Sequence, residues 1–365
     1  MKVPPVRLQG ELPDEVLEEV SSVLRSGFWI DGKNVEALER EFAEYCGVKH
    51  CRAVSSGTAA LLCALAAVGL EPGDEVIVPS FSFVATANAV RWFKAKPVFV
   101  DVDEDTFNLD PDAAEAAVTP KTKAIVPVHL YGLPVDADRV NEVASERGLV
   151  VVEDACQAHG AEYRGKKTGS LGDLAAFSLY PTKNVVCGGE GGLVTTNDDE
   201  LGQRVRLFSN HGQTAKYVHE VEGYNFRMAE VNAVVARYSL GRLDANNGTR
   251  RRHAAVYDER LGKLPGLVLP TVPEGRTHVY HQYTVRTSRR EELKAALSAA
   301  GVGFGVHYQT PIHAQPLYSK LAHATLPVTE RLAGEVISLP VHHNLSKEEV
   351  EAVCDVVTGW GTGQV

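Results

Sequence analysis

The sequence predicts an α/β fold: a large domain with a mostly parallel sheet flanked by helices, followed by a smaller C-terminal α+β domain. From about Asp74, short runs rich in Val and Ile alternate with longer helical patterns, an order typical of parallel strands. Several runs are apolar at consecutive positions, as expected of strands that helices cover on both faces. A length of 365 residues favours two domains over one core.

The predicted elements follow in chain order. A helical run at 59–70 is too short to span a bilayer, which takes about 20 residues, and is interpreted as a buried helix. The predicted strands of the large domain then lie at 75–78, 97–102, 124–129, 149–153, 175–179 and 193–196. Long helical sequence from about Met228 to Leu264 leads into shorter mixed elements at 280–286 and 291–300. We expect domains at 1–245 and 246–365.

Composition and charge exclude several classes of protein. A hydrophobic content of 44% with 23% charged residues is ordinary for a globular chain. The net charge of -10 argues against a nucleic-acid or anionic-membrane surface, since both partners require a basic footprint. Six cysteines without a C-x-x-C pair favour free thiols in a reducing compartment, and the N-terminus lacks the apolar region of a signal peptide. We expect a cytoplasmic protein.

Residues Ser55 to Thr58 directly precede the helical run at 59–70. Free N–H groups and the dipole at a helix N-terminus favour an anion such as phosphate, and the hydroxyls of Ser56 and Thr58 could add donors. An ordinary helix cap explains the same residues. The motif therefore leaves both interpretations open.

Asp154 follows an apolar run and should lie at the carboxyl end of a buried strand, the edge of an α/β sheet where ligands bind. A carboxylate there needs a cationic partner or several donors, and a protonated pyridine nitrogen is such a partner. The alternative is an aspartate that caps the next helix.

Lys183 follows another predicted strand and precedes the glycine-rich stretch 188–192. A lysine at such a strand end is either solvated or reactive, because burial lowers the pKa of its amine and makes Schiff-base chemistry available. No helical pattern follows these glycines in dinucleotide-binding order, which argues against a Rossmann site.

Together these motifs resemble the DegT/StrS family of sugar aminotransferases. The resemblance rests on four stretches in matching order, namely 55–58, 152–155, 178–184 with the trailing glycines, and 223–228. It covers about Gly27 to Ala352. It implies the type I fold of pyridoxal 5'-phosphate (PLP) enzymes, a homodimer with active sites at the subunit interface, and no metal.

The resemblance also implies roles for individual residues. Lys183 corresponds to the Schiff-base lysine, and Asp154 to the partner of the pyridine nitrogen. The other implied cofactor-binding residues are Phe83, which stacks on the ring, Gln157 near the 3'-oxygen, Gly57, Thr58 and Ser178 in the phosphate cup, and Asn225 from the second subunit.

The resemblance further implies that Arg227 of the second subunit, His307 and Tyr308 contact the nucleotide sugar or the carboxylate of the donor. An ion pair for Arg227 and a packing role for His307 and Tyr308 are the alternatives. His159 and His211 lie in similar strings, but we expect neighbouring groups to satisfy them.

The implied activity transfers an amino group from glutamate or glutamine to the ketone of a nucleotide-linked keto-deoxysugar. Three alternatives are an aminotransferase acting on a cyclitol ketone, a PLP-dependent dehydratase and a non-catalytic regulator. Lys183 argues against the dehydratase, whose branch of the family carries histidine there. The sequence leaves the cyclitol alternative open.

Overall fold

The computed structural model describes residues 2–6, 12–321 and 325–363. The strands are, in chain order, β1 (His50–Val54), β2 (Glu75–Pro79), β3 (Lys96–Val100), β4 (Thr122–Ile125), β5 (Val150–Asp154), β6 (Glu162–Tyr163), β7 (Lys166–Lys167), β8 (Leu174–Ser178), β9 (Gly192–Thr196), β10 (Gln213–Ala215), β11 (Val218–His219), β12 (Arg276–Thr277), β13 (Tyr283–Arg286) and β14 (Val336–Leu339).

The helices alternate with these strands in the first half of the chain and dominate the second. They are α1 (Asp14–Ser26), α2 (Lys33–Cys46), α3 (Gly57–Val68), α4 (Ala85–Trp92), α5 (Pro111–Ala116), α6 (Ala137–Arg147), α7 (Asp199–Ser209), α8 (Glu230–Gly241), α9 (Leu243–Leu261), α10 (Arg290–Ala299), α11 (Pro327–Glu335) and α12 (Lys347–Gly361). Short 3-10 turns lie at Leu130–Gly132 and Ile312–Ala314.

A seven-stranded sheet in the order β1-β9-β8-β5-β4-β2-β3 forms the centre of the molecule. Strands β3, β2, β4, β5 and β8 run parallel, which confirms the mostly parallel sheet. Each of the six predicted strands overlaps an observed strand, although β4 ends at Ile125 whereas the prediction extended to residue 129. Strand β9 is antiparallel to both β8 and β1. A loop rather than a helix joins β8 to β9, so the chain reverses direction there.

Helix α3 is apolar around most of its circumference, and nine of its residues are buried. It packs against β8, β9, α4 and α7, which confirms the buried helix predicted for this stretch. The Ser56 hydroxyl accepts a hydrogen bond from the Ala59 N–H at 3.1 Å and fixes where the helix begins. The N-terminus of α3 therefore meets the sheet at a defined position.

A second core surrounds the antiparallel pair β13 and β14 together with α9, α10 and α12. Helix α9 begins in the core of the large sheet at Leu243 and ends in the second core at Leu261. The expected boundary after residue 245 falls inside this helix, and the division into domains stays a prediction. No helix within 2–6, 12–321 or 325–363 is long and apolar enough to cross a membrane.

Candidate active site

A cavity of about 510 Å³ lies where the carboxyl ends of β5 and β8 meet the N-terminus of α3. This is the edge of an open α/β sheet where ligands usually bind. The predicted site residues that line it are Gly57, Thr58, Phe83, Asp154, Gln157, Ser178, Lys183, His307 and Tyr308. The fold thus brings together residues from both halves of the chain.

Lys183 lies on the loop between β8 and β9, where its N–H donates to the Tyr180 carbonyl at 2.8 Å. Burial lowers the pKa of its amine below the ordinary value of 10.5, although the nearby Asp154 acts in the opposite direction. A neutral amine is a nucleophile and a base, whereas an ammonium is neither. Of the two interpretations of this lysine, the environment favours the reactive one.

Asp154 is the last residue of β5 and is 5% exposed. One carboxylate oxygen accepts from the Thr86 hydroxyl at 2.8 Å, and the other accepts from the Cys156 N–H at 3.3 Å. No helix begins at Asp154 in this fully described stretch, so the helix-cap alternative fails. A buried carboxylate with only neutral donors is suited to a cationic ligand.

At the α3 end of the cavity, the backbone of Gly57 lies against Ser178. A Cβ on Gly57 would lie 2.6 Å from the Ser178 Cβ, so this close approach requires glycine. Ser56 caps the helix as the structural alternative predicted, yet the first turn of any helix carries further free N–H groups. Cap and anion site are therefore compatible at this terminus.

The opposite wall carries aromatic groups. Phe83 is 56% exposed, and its ring centroid lies 6.2 Å from that of Tyr308. Gln157 donates through Nε2 to the Tyr308 hydroxyl at 3.2 Å. An aromatic face, an amide and a phenol thus surround the space above Asp154.

Sequence reasoning missed several residues of the site. Thr86 orients Asp154, while Cys156, Glu190, His281 and Gln282 line the cavity. For Thr86 the one weak signal was its nearness in the chain to Phe83, an expected site residue three positions earlier. His281 and Gln282 belong to a segment whose position against the sheet depends on tertiary packing, so no local pattern could have indicated them.

Asn225 and Arg227 do not line the cavity of their own chain. Arg227 donates through Nε to the Asn225 Oδ1 at 3.0 Å. Arg227 also forms a bridge with Val54 of β1, and Asn225 forms one with Asn210, directly after α7. His211 is exposed. His159 is fully buried beside Phe177, and burial and the charge of Lys183 lower its pKa to about 3.

A second cavity of about 610 Å³ lies between α2 and β1 and contains none of the predicted site residues. Its buried guanidinium, Arg52, is bound to Glu39 at 3.1 Å and to Asp31 at 3.1 Å. These charges compensate one another. The chemically suited cavity is therefore the one that contains Lys183.

A buried carboxylate, a lysine with a lowered pKa, a helix N-terminus and an exposed aromatic ring match the pyridine nitrogen, aldehyde, phosphate and ring face of PLP. A model of the DegT/DnrJ/EryC1/StrS aminotransferase family matches residues 11–358. The fold and the site define a PLP-dependent transaminase of fold type I. The chain belongs to the DegT/DnrJ/EryC1/StrS aminotransferase family.

Individual relatives are similar over nearly their full lengths. The chain is 45% identical over 352 residues to the dTDP-3-amino-3,4,6-trideoxy-alpha-D-glucose transaminase of Streptomyces venezuelae, covering 96% of this chain and 93% of that one. It is 43% identical over 364 residues to a pleiotropic regulatory protein of Geobacillus stearothermophilus, covering 98% of each. The crystal structure of S. venezuelae DesV in complex with a ketimine intermediate has a TM-score of 0.95 and 43% identity, covering 98% of this chain and 99% of that one.

Proposed function

We propose that the protein transfers an amino group from glutamate to the ketone of a nucleotide-linked keto-deoxysugar in amino-sugar biosynthesis. The observation that carries the proposal is the presence in one cavity of Lys183, whose amine has a lowered pKa, and the buried carboxylate of Asp154. Transamination requires a neutral amine and a fixed negative charge at such positions. The name of the Streptomyces venezuelae relative supports a sugar nucleotide as acceptor.

In this proposal the chain holds PLP through the residues that line the cavity. Asp154 holds the ring nitrogen, Phe83 stacks on the ring and Gln157 contacts the 3'-oxygen. Gly57, Thr58 and Ser178 bind the phosphate. When bound, PLP supplies an electron sink that stabilises negative charge on the carbon beside the transferred nitrogen.

In this proposal Lys183 moves the proton in each half of the cycle. Its Nζ would move a proton from the α-carbon of the donor to the C4' carbon of the cofactor, and in the second half of the cycle it would move one from C4' to the sugar carbon that receives nitrogen. Because burial lowers the pKa of the amine, more of it is neutral near pH 7 than in a solvated lysine. Lys183 thus attaches the cofactor and acts as the base.

The acceptor is bound by polar groups around the cavity mouth. Thr182, Glu190, His281, His307 and Tyr308 present hydroxyl, carboxylate and imidazole groups suited to sugar hydroxyls. Burial and then the charge of Lys183 lower the pKa of His307, which favours a neutral imidazole that can both donate and accept. The phosphates of the nucleotide need a cation, for which we propose Arg227 of the partner subunit.

The working unit in this proposal is a homodimer. A set of apolar side chains is exposed, and Trp92 contacts Tyr224 directly with ring centroids 5.8 Å apart. The set comprises Phe28, Trp29, Ile30, Trp92, Tyr217, Val218, Val221 and Tyr224. Ile30 bridges Ala229, so residues 28–30 lie near the 224–229 segment that carries Asn225. Exposed apolar surface of this kind favours a partner, and two-fold symmetry would let Asn225 of the partner subunit complete the phosphate site.

We further propose a cytoplasmic location. All six cysteines are free thiols, and five of them are buried. Free thiols persist where the cell is reducing. Locating the tagged protein by fractionation tests this assignment.

A second candidate function is regulatory, because one close relative is named a pleiotropic regulatory protein. A regulator that only reused the fold would have no need of a buried Asp154 opposite an amine with a lowered pKa. The cavity therefore favours catalysis. A cyclitol ketone instead of a sugar nucleotide would use the same machinery, and a panel of keto sugar nucleotides and cyclitol ketones offered as acceptors decides between them.

The proposal predicts a yellow protein whose absorbance falls with glutamate and returns with a keto sugar nucleotide. Borohydride should fix the cofactor on Lys183, as mapped by mass spectrometry, and Lys183→Ala should abolish both signals. Lys263→Ala, at an exposed position, is the matched control and should behave as wild type. An adduct on another lysine, or no turnover with any sugar nucleotide in the panel, contradicts the proposal. Turnover of a cyclitol ketone alone selects the alternative acceptor, and glutamine as the active donor corrects the donor.

A further inference from the structure

The short turn Leu130–Gly132, which follows β4, lies behind the wall of the cavity and contacts three separate segments of that wall. Its central residue, Tyr131, is 2% exposed and does not itself line the cavity. Its ring packs edge-on against Phe107 at a centroid distance of 5.3 Å. Tyr131 is thus a buried residue that lies behind the lining of the cavity and not in it.

The backbone of the turn joins the first two segments. The Tyr131 N–H donates to the Gln157 Oε1 at 2.8 Å, and its carbonyl accepts from the Gln282 N–H at 3.2 Å. The Gly132 carbonyl accepts from the Val279 N–H at 3.0 Å. These bonds fix the position of Gln157 and of the segment 279–282, which carries His281.

The side chain of Tyr131 reaches the third segment. Its hydroxyl donates to the His307 carbonyl, and Tyr308 in turn accepts a hydrogen bond from Gln157. Tyr131, Gln157 and the pair His307–Tyr308 therefore form a closed ring of hydrogen bonds. The ring connects the cofactor side of the cavity to its substrate side.

The backbone conformation of Tyr131 supports a functional role for this turn. Its φ is 58°, in the left-handed region that tyrosine seldom adopts. Such conformations persist only where the surrounding structure determines them, and they concentrate at functional sites. At Tyr131 the left-handed turn directs the N–H, the carbonyl and the hydroxyl toward three different segments.

We propose that Tyr131 is a positioning residue that sets the place of His307 and Tyr308 relative to Gln157 and thereby prepares the cavity for substrate. The proposal rests on the transaminase function proposed above, but the contacts themselves do not. Without the hydroxyl, the His307 carbonyl loses its donor and the 307–308 segment samples other arrangements. A substrate that binds only one of them then shows a reduced apparent affinity.

The test compares Tyr131→Phe with Tyr257→Phe in the holoenzyme. Tyr257 is also fully buried and donates its hydroxyl to the Pro340 carbonyl at 2.6 Å, away from the cavity, so its variant loses an equivalent bond. We expect Tyr131→Phe to raise KM for the substrates about fivefold, equivalent to about 1 kcal/mol, with kcat little changed. Tyr257→Phe should leave KM at the wild-type value.

A second measurement does not depend on activity. Hydrogen exchange followed by mass spectrometry should show faster exchange of the peptide covering 305–309 in Tyr131→Phe than in wild type or Tyr257→Phe. The KM effect of Tyr131→Phe should also shrink in a Tyr308→Phe background, because both changes act on one ring of hydrogen bonds. Unchanged exchange in 305–309, or equal KM effects of the two tyrosine variants, overturns the proposal.

Failure of the proposed function would appear differently. If the wild-type protein aminated no ketone, the transaminase proposal would fail while the exchange comparison still tested Tyr131. If wild type is active and Tyr131→Phe leaves hydrogen exchange in 305–309 unchanged, only the positioning role fails. The two hypotheses are therefore distinguishable in one set of samples.

Discussion

The charge of Lys183 acts on His159, and burial lowers the pKa of both residues. For Lys183 the result is an amine at the cavity that gives up its proton more readily than a solvated lysine, which favours its use as a nucleophile and base. For His159, which is fully enclosed, the result is an imidazole that resists protonation. The same desolvation thus has a functional consequence at one residue and a consequence for stability at the other.

The lowered pKa of His159 predicts acid sensitivity. Its pKa is about 3 in the folded chain against an ordinary 6.5, so between these values the unfolded chain binds more protons and stability falls as pH falls. The contribution of one histidine is at most about 1.4 kcal/mol per pH unit. In His159→Gln the urea-unfolding free energy should therefore change less between pH 7 and pH 5 than in wild type.

The control for this measurement is His219→Gln, at an exposed position. It should keep the slope of wild type. Equal slopes for wild type and His159→Gln would show that His159 does not contribute to acid unfolding.

At the scale of elements, the cavity exists because three termini converge. Strand β5 ends at Asp154, β8 ends at Ser178 and α3 begins at Gly57. The loop from β8 to β9 replaces the helix of a regular crossover, which leaves the space above the sheet open for Lys183. The close contact of α3 with β8 at Gly57 and Ser178 sets the depth of the phosphate end.

Gly57→Ala tests this contact. The added Cβ would lie 2.6 Å from the Ser178 Cβ, so the N-terminus of α3 must move away from β8. Overpacking of this kind costs about 1–3 kcal/mol. We expect a lower melting temperature and a rise of about tenfold or more in the Kd for PLP, measured by absorbance titration.

Gly241→Ala is the matched control, since Gly241 ends helix α8 and a Cβ there meets nothing within 4 Å. It should bind PLP as wild type does. If Gly57→Ala also binds PLP with wild-type affinity, the contact does not shape the phosphate end.

At the scale of the whole molecule, the single chain provides a cavity whose predicted phosphate cup lacks Asn225. That residue lies outside the cavity of its own chain, on a segment adjacent to exposed aromatic side chains. The arrangement is explained if two chains related by a two-fold axis each place Asn225 against the cavity of the other.

Mixing inactive Lys183→Ala with inactive Asn225→Ala subunits tests this arrangement. A heterodimer would contain one site with both defects and one intact site. With random exchange, the mixture should recover up to about a quarter of wild-type activity. No recovery despite subunit exchange proven by native mass spectrometry would contradict shared sites.

Much of the candidate site could be predicted because its residues follow strong local signals. Asp154 and Lys183 come at or after the ends of buried apolar strands, so parallel-strand geometry places them at one edge of the sheet. Ser56 and Gly57 begin a helix, a position that favours an anion. The roles of these residues depended on a resemblance that combines several motifs. Tyr131 and His281 could not be predicted, because neither a left-handed turn at tyrosine nor its contacts with distant segments has a local signature.

Local order along the chain was thus enough for the α/β class, the approximate position of six strands of the large sheet, and the placement of Asp154 and Lys183 after strand ends. These follow from hydrophobic periodicity and from the way parallel strands align their ends. Tertiary structure decided the antiparallel direction of β9, the desolvation that lowers the pKa of Lys183, and the ring of hydrogen bonds through Tyr131. Each of these depends on groups far apart in the chain becoming neighbours, and only the packed fold specifies which groups those are.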